Sequence, residues 1–184
     1  MTLTERIKEI VAKDSLVYSK PDNLFLFLST ALGKKQEVIQ TEFKKLLASG
    51  DIFEVRNGKF ITIPSHGYVK GHFMGSAKGY AFCDIGEAED IFIPGNRANG
   101  AIDGDDVIIK LFAQEGGKEG EVVKVVKPVK KIVGTVVKVS RNLFLEPDNQ
   151  KISFKIPILK TAIKPMLNQK VAVSYTHLTL PTIR

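Results

Sequence analysis

The stretch KGYAFCDIGEAEDIFIPG, from Lys78 to Gly95, decides the fold because it has the pattern of two short strands joined by a polar turn. Successive residues of a strand point to opposite faces of a sheet. One face then collects small and aliphatic side chains: Gly79, Ala81, Cys83, Ile91 and Ile93. The other collects Lys78, Tyr80, Phe82, Asp84, Asp90, Phe92 and Pro94. We expect the first face to fill a barrel interior and the second to meet solvent.

The neighbouring sequence extends this pair of strands into a barrel over residues 65–128. Strand-like runs separated by glycine-rich turns follow one another: HGYVKGHFM, KGYAFCDI, EDIFIP, DDVIIKLF and EGEVVKVV. No helical pattern long enough to cross over the sheet separates them. Short strands at this spacing predict a small antiparallel barrel of the OB type.

Residues 1–64 have a helical pattern that ends in a hairpin. Apolar residues recur at helical spacing in TERIKEIVAK, KPDNLFLFLSTALG and KKQEVIQTEFKKLLASG. DIFEV and FITI then flank Asn57-Gly58, a pair that suits a tight turn. Three short helices and a hairpin predict a winged helix-turn-helix. Its third helix presents outward Gln36, Gln40, Lys44 and Lys45. Such a helix could read duplex DNA. The interpretation we favour is that the module packs against other parts of the protein or guides RNA.

Residues 129–173 repeat the barrel pattern without completing it. KIVGTVVKV resembles the earlier EGEVVKVV, two further strands flank Pro147-Asp148-Asn149, and NQKVAVSY begins a fourth. This segment therefore predicts a truncated second OB-fold. We expect native coding to stop near Val173, with residues 174–184 a non-native tail, because no charged residue occurs from Val171 to Ile183. The predicted fold class is α+β multidomain.

Composition and charge favour a cytoplasmic protein with a polyanionic partner. The chain has one cysteine, no apolar leader and no apolar run near the roughly 20 residues that span a bilayer. Residues 1–120 hold 15 basic and 17 acidic side chains, a net −2, whereas residues 121–184 hold 12 and 3, a net +9. A basic segment joined to a near-neutral one is typical of nucleic-acid binding, and solubility alone would explain it equally well.

The aromatic face of the quoted stretch indicates which type of nucleic acid the chain would bind. Unpaired bases stack on rings while lysines follow the phosphates, so Tyr80, Phe82 and Phe92 beside lysine predict a surface for single-stranded RNA. The alternative is that another domain covers the rings.

The same residues carry a family resemblance. K-G-Y-A-F followed by D-I-F-I is similar to the two ribonucleoprotein motifs of cold-shock domains, with Phe73 standing where that family usually has tryptophan. Ala81 replaces the usual glycine, and Pro94 replaces a histidine that would have stacked. The next run, IPGNRANGAIDGDDVIIKL, resembles the first cold-shock domain of the ribonuclease R group of RNase II/RNB exoribonucleases.

The resemblance implies an RNA-binding portion of an enzyme that degrades RNA from its 3′ end. The predicted RNA-binding residues are Phe73, Lys78, Tyr80, Phe82, Phe92, Lys70 and Lys110. The family's catalytic domain, which holds Mg²⁺ on clustered aspartates, has no counterpart in this sequence, so we expect no catalytic residue and no cofactor in this chain. Asp103, Asp105 and Asp106 could mimic a metal-binding turn, but a structural turn is favoured.

The predicted partners are single-stranded RNA, with structured or ribosome-associated RNA as further partners, and no membrane. Two other functions stay open at this point. The winged helix could make the chain a DNA-binding transcription regulator, or the whole could be a protein-interaction module.

Overall fold

The structure, a computed structural model, describes residues 1–13, 21–56, 58–114, 117–159 and 165–174. The chain divides into two compact units, Met1–Lys70 and Gly71–Arg184. Asn57 of the predicted turn and residues 175–184 of the expected tail lie outside the described residues. Within the described residues, no helix combines the length and the apolar character needed to cross a membrane.

The first unit consists of three helices and a hairpin. Helices α1 (Leu3–Lys13), α2 (Pro21–Leu32) and α3 (Gln36–Ser49) precede the antiparallel strands β1 (Ile52–Arg56) and β2 (Lys59–Thr62). Their common core contains Ile7, Val11, Leu24, Leu28, Leu32, Ile39, Phe43, Leu46, Ile52 and Phe60. Not every apolar residue of the helical runs is buried, since Phe27 and Val38 are 38% and 44% exposed.

A closed five-stranded barrel follows in the strand order β3-β4-β5-β7-β6, and all of it except the first three residues of β3 belongs to the second unit. Its strands are β3 (Tyr68–Gly75), β4 (Ala81–Asp84), β5 (Ile91–Ile93), β6 (Asp106–Gln114) and β7 (Gly117–Lys127). One pair differs from the all-antiparallel prediction. The β6–β7 hairpin folds back so that β7 lies between β5 and β6, and β7 therefore runs parallel to β5. This is an OB-like barrel, and the chain as a whole has an α+β fold.

Four more strands form an antiparallel sheet after the barrel. They are β8 (Lys131–Val139), β9 (Asn142–Pro147), β10 (Ile156–Pro157) and β11 (Lys170–Ser174), in the order β10-β9-β8-β11. The buried face of the sheet contributes Ile132, Leu145 and Ile156 to a small core. The assignment of this sheet to a second OB-fold stays a prediction.

The barrel and the second sheet lie in one compact unit, although the sequence places a domain boundary between 128 and 129. The turn before β6 explains this. Ile102 packs in the core of the second sheet, and the Asp103 carboxylate accepts a hydrogen bond from the Asn149 side-chain amide at 2.9 Å. The Asp105 carboxylate accepts another from the Val129 backbone N–H at 2.8 Å. Side chains of one turn thus hold both parts together.

Candidate nucleic-acid interface

Three aromatic rings form a continuous cluster on the outer wall of the barrel. The Tyr80 and Phe82 centroids lie 5.7 Å apart, Tyr80 and Phe92 also 5.7 Å, and Phe82 and Phe92 5.8 Å. Phe82 on β4 and Phe92 on β5 are direct cross-strand partners, so their side chains share a face. We call Tyr80, Phe82 and Phe92 the ring cluster.

The ring cluster faces outward because both strands alternate as the sequence predicts. On β4, Ala81 and Cys83 are buried while Phe82 is 39% exposed. On β5, Ile91 and Ile93 are buried and Phe92 is half-buried between them. Tyr80, just before β4, is also half-buried. The rings are therefore partly covered by each other while keeping surface on which a planar group could stack.

A close backbone approach positions the turn that carries Lys78 and Tyr80. A Cβ atom at Gly95 would lie 2.1 Å from the Gly79 carbonyl oxygen, a separation that no side chain tolerates. Gly79 has φ +84°, a conformation that glycine adopts without strain. The two glycines let the turn lie directly against the segment after Phe92, which brings Tyr80 within contact of that ring.

Phe73, which the sequence analysis names as an RNA-binding residue, does not belong to the ring cluster. It is only 3% exposed, and its partner across β3 and β4 is the buried Cys83. The cross-strand partner of Phe82 is instead Met74. Because side chains alternate along β3, the buried position of Phe73 follows from its register. Its ring belongs to the barrel interior.

The three predicted lysines have different surroundings. Lys78 is exposed in the turn before Tyr80. Lys110 is half-buried on β6, and its ammonium group lies 5.4 Å from the centroid of the Phe112 ring. Lys70 belongs to the first compact unit, where its ammonium donates to the Asp51 carboxylate at 2.7 Å and to the Ser49 carbonyl oxygen at 2.9 Å.

The Asp51 carboxylate holds Lys70 in place as a charged pair. Partial burial alone would raise the pKa of Asp51, but hydrogen bonds from Lys70 and Ser49 outweigh it and the pKa lies below its usual value. The acid therefore stays ionised and compensates the lysine charge at neutral pH. Lys70 is a weaker candidate for a phosphate contact than Lys78.

Acidic side chains bound the ring cluster at the far end of its strands. Asp84 ends β4, Asp90 precedes β5, and both are exposed, as are Glu87 and Glu89 in the turn between them. Carboxylates repel phosphates, so a nucleic-acid strand on this wall would run away from the β4–β5 turn. A nucleic-acid strand could therefore leave the ring cluster on the side of Tyr80 or across the neighbouring strands of the sheet.

Two further residues on this wall were not identified from the sequence. Phe112 lies two residues after Lys110 on β6 and is half-buried, and the Arg97 guanidinium carbon lies 5.1 Å from its ring centroid. Strand alternation could have revealed Phe112, because it shares the face of Lys110. Arg97 lies in a 3-10 turn over Gly95–Arg97, and no sequence pattern indicates its direction.

Cys83 is a fully buried thiol in the barrel interior. Burial raises the pKa of Cys83 to about 12, and the nearby Asp84 and Asp90 carboxylates add to the effect. A thiol reacts with alkylating agents as its thiolate. The position suits packing and not nucleophilic chemistry.

We expect Cys83 in the folded chain to react with iodoacetamide at pH 8 at least about 1000-fold more slowly than in denatured chain, where a thiol pKa near 8.5 applies. Mass spectrometry at successive times measures the two rates. Because only the unfolded thiol ionises between about pH 8.5 and pH 12, the free energy of unfolding should fall as pH rises through that range. Equal alkylation rates in folded and denatured chain would contradict the buried position.

Asp103, Asp105 and Asp106, where the chain enters β6, each contact another group of the protein. Asp105 is fully buried, and its carboxylate accepts from the Ile102 and Val129 backbone N–H groups, each at 2.8 Å. Asp103 accepts from the Gly75 N–H at 3.0 Å, and Asp106 lies 3.0 Å from the His72 ring nitrogen. Among the described residues, no group of three or more His, Cys, Asp and Glu could hold a metal ion. The turn does not fit a Mg²⁺ site.

Comparison with known proteins identifies relatives of this chain. A family model described as the ribonuclease B OB domain matches residues 71–125, which covers most of the barrel. Ribonuclease R of Aquifex aeolicus (strain VF5) is 27% identical over 173 residues, which cover 92% of this chain and 24% of that protein. This chain therefore spans about a quarter of the length of that curated relative.

Solved structures with some likeness have low similarity scores. The apo form of Mycoplasma genitalium RNase R has a TM-score of 0.47 at 19% identity, over 56% of this chain and 18% of that one. Yeast Ssd1, described as a pseudonuclease, has a TM-score of 0.43 at 17% identity, over 59% and 23%. The same Mycoplasma RNase R in complex with ribose-methylated single-stranded RNA scores 0.37 at 20% identity, over 44% and 14%.

Proposed function

We propose that the barrel of this chain binds single-stranded RNA, because residues 71–125 match the ribonuclease B OB domain and most of the chain is similar to ribonuclease R. In this proposal the bases stack on the ring cluster, and Lys78 and Lys110 lie near the phosphates. The single observation that supports it best is the ring cluster itself, three mutually contacting and partly exposed rings on the outer wall of an OB-like barrel.

Energetics favour stacking as the main contribution to affinity. Alanine substitution of a stacking ring typically costs about 1–3 kcal/mol per base, so three rings correspond to roughly 3–9 kcal/mol before the ordering of the strand is subtracted. The charge of the barrel wall adds little by comparison, because Asp84, Asp90 and Glu119 lie on it with the lysines. Stacking also suits a guiding role, since every base has a planar face and the sequence of the RNA matters little.

We further propose that the full-length protein is a 3′–5′ exoribonuclease of the ribonuclease R type. The barrel would be its first cold-shock domain, the sheet of β8 to β11 part of a second, and the three helices with their hairpin a winged helix. Cleavage would belong to a separate catalytic domain with Mg²⁺. Asp103 and Asp105 accept hydrogen bonds within the fold, and in this proposal the 184-residue chain binds RNA without cleaving it.

The test compares affinities of the 184-residue chain for single-stranded RNA, duplex RNA and duplex DNA by fluorescence anisotropy. We expect single-stranded RNA to bind most tightly. If Lys78 and Lys110 each neutralise one phosphate, the affinity should fall roughly 7-fold between about 50 and 200 mM salt, because counterions are released on binding.

Two results of this comparison would count against the proposal. Preference for duplex DNA would favour a transcription regulator that reads DNA through α3. No binding of any nucleic acid at low salt would favour a protein-interaction module. Incubation of the bound RNA with Mg²⁺, followed by gel electrophoresis, checks that the chain leaves the RNA intact.

A further inference from the structure

The ring cluster continues across the barrel wall beyond β5. Phe92 on β5 is the direct partner of Glu119 on β7, and Glu119 is in turn the direct partner of Phe112 on β6. Direct cross-strand partners project to the same face of a sheet. Phe82, Phe92, Glu119 and Phe112 therefore form one row across four neighbouring strands.

Arg97 is fixed at the end of this row by two contacts. Its guanidinium donates to the Glu119 carboxylate at 3.0 Å, and its central carbon lies 5.1 Å from the Phe112 ring centroid. Both side chains of the ion pair are partly buried, at 33% and 24% exposure. An arginine held by a carboxylate and a ring has lost most of its rotamer freedom before any ligand arrives, which lowers the entropy cost of binding.

The chemistry of this arrangement favours a base over a phosphate as the group that binds beside Arg97. Glu119 compensates the charge of Arg97 and would itself repel a phosphate at the same point. The planar guanidinium, in contrast, is a surface on which unpaired bases stack, as they do on aromatic rings. Its contact with Phe112 gives this plane an apolar support.

We propose that Arg97 and Phe112 form a separate nucleotide subsite, in which a base of single-stranded RNA stacks on the guanidinium that Phe112 and Glu119 hold. The inference rests on the proposed function of the barrel and extends its binding surface. Neighbouring strands lie about 4.8 Å apart, so Phe112, two strands from Phe92, adds roughly 10 Å to the path of the RNA. The subsite therefore serves RNA that is long enough to pass the ring cluster.

The experiment measures affinities for oligouridylates of three nucleotides, one for each ring of the ring cluster, and of about 16 nucleotides, the upper limit of site size for an OB fold. It uses the 184-residue chain and the variants Arg97→Ala, Arg97→Lys and Phe112→Leu. We expect each variant to bind the long oligonucleotide about 10-fold more weakly, the loss typical of one stacked base, and to bind the short one like wild type. Thermal unfolding of each variant checks that the barrel is intact.

The matched control is Lys118→Ala. This variant removes a positive charge from β7, the strand of Glu119, and leaves in place the charge that contacts the Phe112 ring. Arg97→Lys keeps the charge and loses the plane, so it separates stacking from electrostatics.

Four outcomes decide the matter. Weaker binding of the long oligonucleotide by Arg97→Lys and Phe112→Leu, with Lys118→Ala unchanged, supports the subsite. If Arg97→Lys binds like wild type while Arg97→Ala and Lys118→Ala lose affinity equally, the effect is one of charge only. That result overturns the subsite. Unchanged binding by the three variants at Arg97 and Phe112, while wild type binds well, overturns the subsite but leaves RNA binding by the ring cluster standing. Failure of wild type to bind either oligonucleotide is a failure of the proposed function itself.

Discussion

Replacing Tyr80, Phe82 and Phe92 together with alanine will weaken the binding of single-stranded RNA by at least about 100-fold. The lower limit for three stacked bases is about 3 kcal/mol, and each 1.4 kcal/mol is a factor of ten in affinity. The rings contact one another at 5.7–5.8 Å, so removing one also loosens its neighbours, and single variants should not add up to the triple one. Fluorescence anisotropy with a labelled oligonucleotide measures the loss.

The chain offers a matched control for the triple variant. Phe27 in α2 is a phenylalanine of nearly the same exposure as Phe82, 38% against 39%, and lies in the other compact unit. Phe27→Ala should bind RNA like wild type. The circular dichroism spectrum of the triple variant should retain the β-sheet signal, because the three substituted side chains lie outside the barrel interior. Wild-type affinity in a folded triple variant would mean that RNA binds elsewhere.

Replacing Asp105 with alanine will have the largest effect on stability. The carboxylate is fully buried and accepts two backbone hydrogen bonds at 2.8 Å, from Ile102 and Val129. Its removal leaves one buried and one partly buried N–H group without an acceptor, and each such loss costs about 1–3 kcal/mol. We expect the free energy of unfolding of the second unit to fall by roughly 3–4 kcal/mol, or the melting temperature by about 10 °C.

Two further variants identify the cause of that loss. Asp105→Asn keeps one carbonyl acceptor and should lie between wild type and Asp105→Ala. Asp90→Ala removes an exposed carboxylate of the same barrel and should be within about 0.5 kcal/mol of wild type. Differential scanning calorimetry measures all three. A change of half a kcal/mol in stability corresponds to a shift of roughly 2 °C in melting temperature. If the melting temperature of Asp105→Ala lies within that range of wild type, the role assigned to the carboxylate is contradicted.

The barrel strands and the outward direction of Phe82 and Phe92 were predictable from the sequence, because alternation with period two is a local property. The quoted stretch alone places Ala81, Cys83, Ile91 and Ile93 inside, and the structure agrees. The same rule applied to β6 would have added Phe112 to the surface. Helix positions were also predictable, since Gly50, with φ +70°, ends α3 where the pattern indicates.

The surroundings of Phe73 and Lys70 were not predictable, because they depend on contacts that local patterns do not contain. Phe73 was assigned by resemblance to a family tryptophan, whereas the register of β3 against β4 decides its face. Lys70 was assigned by its charge, and Asp51, far from it in sequence, pairs with it in the fold. The stretch IDGDDV did indicate a turn. That one of its carboxylates is buried depends on Val129, which lies 24 residues away.

The hydrogen bond from Val129 to Asp105 bears on how this barrel can be produced by itself. An expression boundary at residue 128, where the strand pattern invites one, would delete a donor to the most deeply buried acid of the barrel. Extension through Val129 keeps that donor, but Ile102 then loses its apolar neighbours in the second sheet. A recombinant barrel cut at either point should therefore be less stable than the same barrel within the longer chain, and its RNA affinity should be measured in the longer form.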